Sequence, residues 1–95
     1  MTLSEFKQSL KTGQPPAQLN VELKALWYDG KGDWDNAHKQ VDHLNSASAS
    51  LVHAYLHRKE GDIWNADYWY ARAKETRPDI SLEEEWNQLV TRFLK

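Results

Sequence analysis

ALWYDGKGDWDNA, residues 25–37, aligns without a gap on AYLHRKEGDIWNA, residues 54–66, at an offset of 29 residues. The identical pairs are Ala25 with Ala54, Gly32 with Gly61, Asp33 with Asp62, Asn36 with Asn65, and Ala37 with Ala66. Apolar positions keep the same phase, pairing Leu23 with Val52, Leu26 with Tyr55, Trp27 with Leu56, Trp34 with Ile63, Val41 with Tyr70, and Leu44 with Ala73. Each shared residue has a physical use. Glycine takes the left-handed conformation that ends a helix, aspartate caps the next one, and alanine lets two helix axes approach closely. The duplicated string therefore reads as two successive helical hairpins.

Helix signals extend outward from this core in both directions. Thr2-Leu3-Ser4-Glu5 has the capping-box pattern and opens a short helix closed by Gly13 and Pro15-Pro16. A second helix is expected directly after those prolines, which a first turn tolerates, so that hairpin 1 covers about 17–45. Gly30 and Gly32 stop it, and Asp33 caps a third helix carrying Trp34, Ala37, Val41 and Leu44 on one face. After the polar connector NSASAS, hairpin 2 covers about 48–76. Its helices are striped by Leu51, Val52, Tyr55 and Leu56 and then by Ile63, Ala66, Tyr70 and Ala73, with the end set by Thr76, Arg77 and Pro78. Ser81-Leu82-Glu83-Glu84 is a second capping-box pattern, opening a cap helix at about 82–94 with Leu82, Trp86, Leu89 and Phe93 as its stripe. No segment reads as a strand. The expectation is one all-α domain of about six helices over residues 1–95.

EGDIWNADYWYARAKETRPD, residues 60–79, resembles the second half of a tetratricopeptide or Sel1-like repeat through Gly61-Asp62, Ala66, Tyr70, Ala73 and Pro78. KGDWDNAHKQVDHL is similar through Ala37 and Val41. The likeness covers residues 17–78, and its offset of 29 residues is shorter than the usual tetratricopeptide period of about 34. The resemblance implies two TPR-like hairpins between N-terminal and C-terminal capping helices, in a module that holds a protein or peptide partner without catalysis. Two hairpins are few for a free-standing array, because each unit needs a neighbour over its apolar side, so a homodimer is a further expectation. HAYLHRKEGD…NADYWYARA also looks like a string in small uncharacterised bacterial proteins.

Composition narrows the function classes. A net charge of −2 and a pI near 6.0 supply no basic face for nucleic acid. The absence of cysteine removes disulfides, thiolate catalysis and cysteine-ligated zinc, and fits the cytoplasm. No secretory pattern opens the chain and no apolar run is long enough to span a membrane, so no membrane partner is expected. GKGD lacks the phosphate-loop spacing, and no Gly-x-Ser-x-Gly elbow is present. No catalytic residue and no cofactor are assigned.

Two constellations stand out in the second hairpin. His53, His57 and Glu60 align at i, i+4 and i+7, the spacing that lets imidazole and carboxylate share a metal ion. The ordinary use of such a face is solvation or a hydrogen-bonded repeat interface, and no native metal site is expected. His38 and His43, five residues apart, point to different faces. On the fifth helix, Trp64, Tyr68 and Arg72 lie opposite the core stripe. Coverage by Trp86, Leu89 and Phe93 is the expected fate of those aromatics, because so large an apolar surface is seldom left bare. Left exposed, Trp64 and Tyr68 would anchor a partner whose carboxylate pairs with Arg72 or Arg58. The expected function is a non-catalytic protein- or peptide-binding scaffold, with a small ligand-binding or enzymatic domain built on His53, His57 and Glu60 as the alternative.

Overall fold

A computed structural model describes residues 1–95 as six α-helices with no strand. They are α1 (Leu3–Ser9), α2 (Val21–Gly30), α3 (Trp34–Val41), α4 (Ala47–Lys59), α5 (Ile63–Arg72) and α6 (Leu82–Phe93). None is long and apolar enough to cross a membrane. The most extensive packing joins α2 to α3 and α4 to α5. Helix α4 also touches α2, α3 and α6, and every residue from Ala49 to His57 is buried. A helix buried on all sides carries little amphipathic signal, and α4 is the axis of this core.

The two interhelical turns are built alike. Gly32 and Gly61 adopt φ of +81° and +88°, the left-handed region. The following amide then folds back, Asp33 N–H donating to Tyr28 O at 2.9 Å and Asp62 N–H to His57 O at 3.0 Å. Each aspartate side chain caps the next helix by accepting from the N–H of Asn36 or Asn65. Ala37 and Ala66 are both fully buried.

Several boundaries differ from the expected ones. Helix α2 starts at Val21 rather than after the prolines, because Asn20 is extended and its side chain accepts from Leu23 N–H. Four of the six residues of the NSASAS connector are helix: Ser46 caps the first turn of α4 through Ala49 N–H at 3.2 Å. Helix α3 ends at Val41, short of Leu44. Helix α5 stops at Arg72, well before Pro78, where Lys74 turns left-handed at φ 62° and Glu75 N–H reaches Tyr70 O at 3.0 Å. Thr2 and Glu5 form the full reciprocal capping box, whereas Ser81 makes only its own half, accepting from Glu84 N–H.

Two buried carboxylates tie the helices together. Asp29 accepts from Tyr55 Oη at 2.9 Å and from Lys59 Nζ at 2.9 Å. Glu85 accepts from Tyr70 Oη at 2.7 Å and from Arg58 Nη1 at 2.7 Å. Burial first, and then the adjoining Asp29 or Glu85 carboxylate, holds both phenols neutral well above the ordinary tyrosine range. Unfolded tyrosine ionises near pH 10 while these two keep their protons, so the unfolded state binds fewer protons there and stability falls as pH rises. Urea midpoints are expected to hold steady up to about pH 9 and to decline above about 10, with a shallower decline in Tyr55→Phe. Phenolate absorbance from Tyr55 and Tyr70 in the folded protein near pH 10 would contradict this.

Candidate functional site

Helices α3 and α5 both pack on α4 and do not touch each other, so one strip of α4 forms the floor between them. Three histidines meet there. His38 comes from α3, and His53 and His57 from consecutive turns of α4. His38 Nε2 lies 3.0 Å from His53 Nε2, and each of the three rings offers a nitrogen within 4.8 Å of the other two. His53 is only 4% exposed and His57 7%.

Aromatic walls fix the rings. Trp34 stacks on His38 with centroids 4.8 Å apart and planes 10° apart, and its Nε1–H donates to Leu56 O at 2.8 Å. Trp69 stacks on His53 at 4.0 Å and 23°. Carboxylates sit on the far nitrogens: Glu60 Oε1 is 2.6 Å from His57 Nδ1, and Asp42 Oδ2 is 3.8 Å from His38 Nδ1. The Glu60 contact favours the Nδ1–H tautomer of His57, with its Nε2 lone pair turned inward, whereas Asp42 is too far from His38 to form a hydrogen bond. Asn65 Nδ2 approaches His57 Nε2 at 3.4 Å. His53 Nδ1 is buried without a partner. Burial, reinforced by His38 and His57, pushes His53 down to about 4, and burial together with His57 lowers His38. At neutral pH His38 and His53 are therefore uncharged nitrogen donors.

This geometry corrects the sequence reading of His53, His57 and Glu60. The two histidines do not lie on a solvated face, since α3 and α5 cover them. Glu60 does not join His53 in one ligand set; it orients His57 from outside. The third member is His38, and the periodicity of α4 gives no sign of a ring on another helix. His43 remains exposed beside Asp42, away from the cluster. Trp69 is the other residue that sequence reasoning missed. Its neighbours Trp64, Tyr68 and Tyr70 carried the helical pattern, and Trp69 falls between the two faces.

The Trp64 face is also corrected. Helix α6 packs on α1, α2 and α4 and meets α5 at the Tyr70–Glu85 hydrogen bond, away from the Trp64 face. Trp86 turns inward instead, donating from Nε1 to Leu26 O at 3.0 Å with its ring 5.7 Å from Phe6. Trp64 is consequently 83% exposed and Tyr68 48%, with Ile63 beside them at 37%. Arg72 donates to Tyr68 Oη at 3.2 Å and Asn45 Oδ1 at 3.3 Å, and its guanidinium lies 5.2 Å from the Trp69 ring centre. Arg58, Arg77 and Arg92 each pair with a carboxylate, and Arg72 does not. Arg58 is spent inside the fold on Glu85 and on Ile80 O, so it offers nothing to a partner's carboxylate.

A separate open cleft of about 460 Å³ lies between α1, α2, α4 and α6, lined in part by Lys7, Asp29, Tyr55, Lys59 and Trp86. Its polar groups Asp29, Tyr55 and Lys59 already satisfy one another. No protein-family model, curated protein or solved structure matches the chain.

Proposed function

We propose that the protein is a non-catalytic binding module whose α5 face, formed by Trp64, Tyr68 and Arg72, receives an extended segment of another protein. The observation that carries this reading is the 83% exposure of Trp64 one turn from Tyr68 and two from Arg72. Aromatics and arginine dominate binding energetics because they bury large area with few rotatable bonds. Arg72, the arginine without a carboxylate partner, fits a segment with an acidic side chain next to an apolar one. The duplicated Gly-Asp turns support reading α2 to α5 as two tetratricopeptide-like hairpins, an arrangement that suits peptide capture. A cysteine-free chain supports placing that encounter in the cytoplasm.

Selection of a random peptide display library on the purified protein tests this. Peptides carrying Asp or Glu beside an apolar residue should be enriched. Trp64→Ala should weaken their binding by about 30-fold or more, corresponding to roughly 2 kcal/mol for an aromatic hot spot. Its thermal unfolding should stay within about 0.5 kcal/mol of wild type, as for an exposed position. Enrichment that is the same on wild type and Trp64→Ala, or no enrichment, refutes the proposal. A dimer in sedimentation that becomes a monomer in Trp64→Ala would make a second copy of the chain the occupant instead.

A further inference from the structure

We infer that His38, His53 and His57 form a binding site for one divalent transition-metal ion of the zinc class, with a fourth coordination position open to solvent beside His38. Three imidazoles without thiolate suit zinc, nickel or copper, and three-histidine zinc sites keep an open position for water. With Zn–N bonds of 2.0–2.1 Å, tetrahedral geometry places ligand nitrogens about 3.3 Å apart. The 3.0 Å between His38 Nε2 and His53 Nε2 is already close to that, and the third nitrogen lies within 4.8 Å. Closing the set requires the His57 nitrogen to approach by at most about 1.5 Å.

Three independent features separate this cluster from a chance meeting of histidines. First, the far nitrogen of His57 meets Glu60 at 2.6 Å, the carboxylate–imidazole arrangement that fixes the tautomer of a metal ligand and strengthens its donor nitrogen. Second, Trp34 and Trp69 stack on His38 and His53 and hold the rings before any ion arrives. Third, His53 is buried and its Nε2 meets only another imidazole, a weakly satisfied arrangement for a polar group in a core that a metal ion at Nε2 would relieve. The hydrogen between the two Nε2 atoms gives way to the ion by moving to His53 Nδ1, so both nitrogens face the metal with lone pairs and no net proton is released. The His38 side chain, 26% exposed, provides the entry path.

Metal-stripped full-length protein titrated with Zn²⁺ by calorimetry, and with Co²⁺ by absorption, tests the assignment. One ion per chain is expected, with tetrahedral Co²⁺ bands and movement of the imidazole ¹⁵N resonances of all three histidines in the wild-type protein. His38→Ala, at the least buried of the three, should weaken binding by 100-fold or more. Glu60→Gln should weaken it about tenfold while preserving the stoichiometry. His43→Ala should bind as wild type does. Absence of a one-to-one complex overturns the inference. So does tight binding in His38→Ala, which would assign the ion to His57, Glu60 and Asp62, the other set of close donors. The ¹⁵N readout needs no substitution, so a variant that fails to fold leaves the decision intact.

Discussion

Arg58→Met should lower the unfolding free energy by about 3–5 kcal/mol, the usual cost of removing one partner of a buried ion pair. Glu85 is 3% exposed, and its carboxylate joins three helices: Arg58 from α4, Tyr70 from α5, and its own α6. Deleting the guanidinium strands the charge in a core that offers only the Tyr70 hydroxyl, and it also frees the carbonyl of Ile80. The expected readout is a large fall in the urea midpoint with little change in slope. The double variant Arg58→Met with Glu85→Leu should regain much of the loss, because a buried pair exchanged for apolar groups is often near neutral. An unchanged midpoint in Arg58→Met would mean that the pair is solvated, and Arg58 would again be available to a partner.

Trp86→Ala is the second large effect, about 3–5 kcal/mol for deletion of a buried tryptophan. Its ring fills the junction of α1, α2 and α6, in contact with Phe6, and its indole N–H bonds Leu26 O at 3.0 Å. Hydrogen exchange should quicken first in α1 and α6, the helices that the cavity undocks. Trp86→Phe should recover most of the packing and lose about 1 kcal/mol with the hydrogen bond. Trp64→Ala is the internal control, because the same substitution on the bare face of α5 removes almost no buried area. Equal melting of the Trp64 and Trp86 variants would invalidate the assignment of core and surface.

The sequence by itself determined the helices and their turns. Gly32-Asp33 and Gly61-Asp62 carry local information: a left-handed residue, then a cap, each acting within a few residues of itself. Helix ends were less legible. Asn20 outcompeted the prolines as a start, and Lys74 adopted a left-handed conformation that its residue type does not announce. Tertiary structure alone decided which faces are covered. Periodicity showed that Trp64 and Trp86 lie on faces, but their burial depends on the direction in which α6 returns, and α6 returns over α1, α2 and α4, meeting α5 at Tyr70 and not at Trp64. The histidine cluster is the same case. His53 and His57 share a face through helix geometry, whereas His38 lies 15 residues earlier on another helix and reaches them only because α3 docks on α4. Spacing within one helix found two of the three rings, and Glu60 filled the third place in the pattern while its carboxylate faces the outer side of His57. Donor sets assembled from separate elements leave no periodic trace in a sequence, since contacts between elements are fixed by the packing of the whole chain.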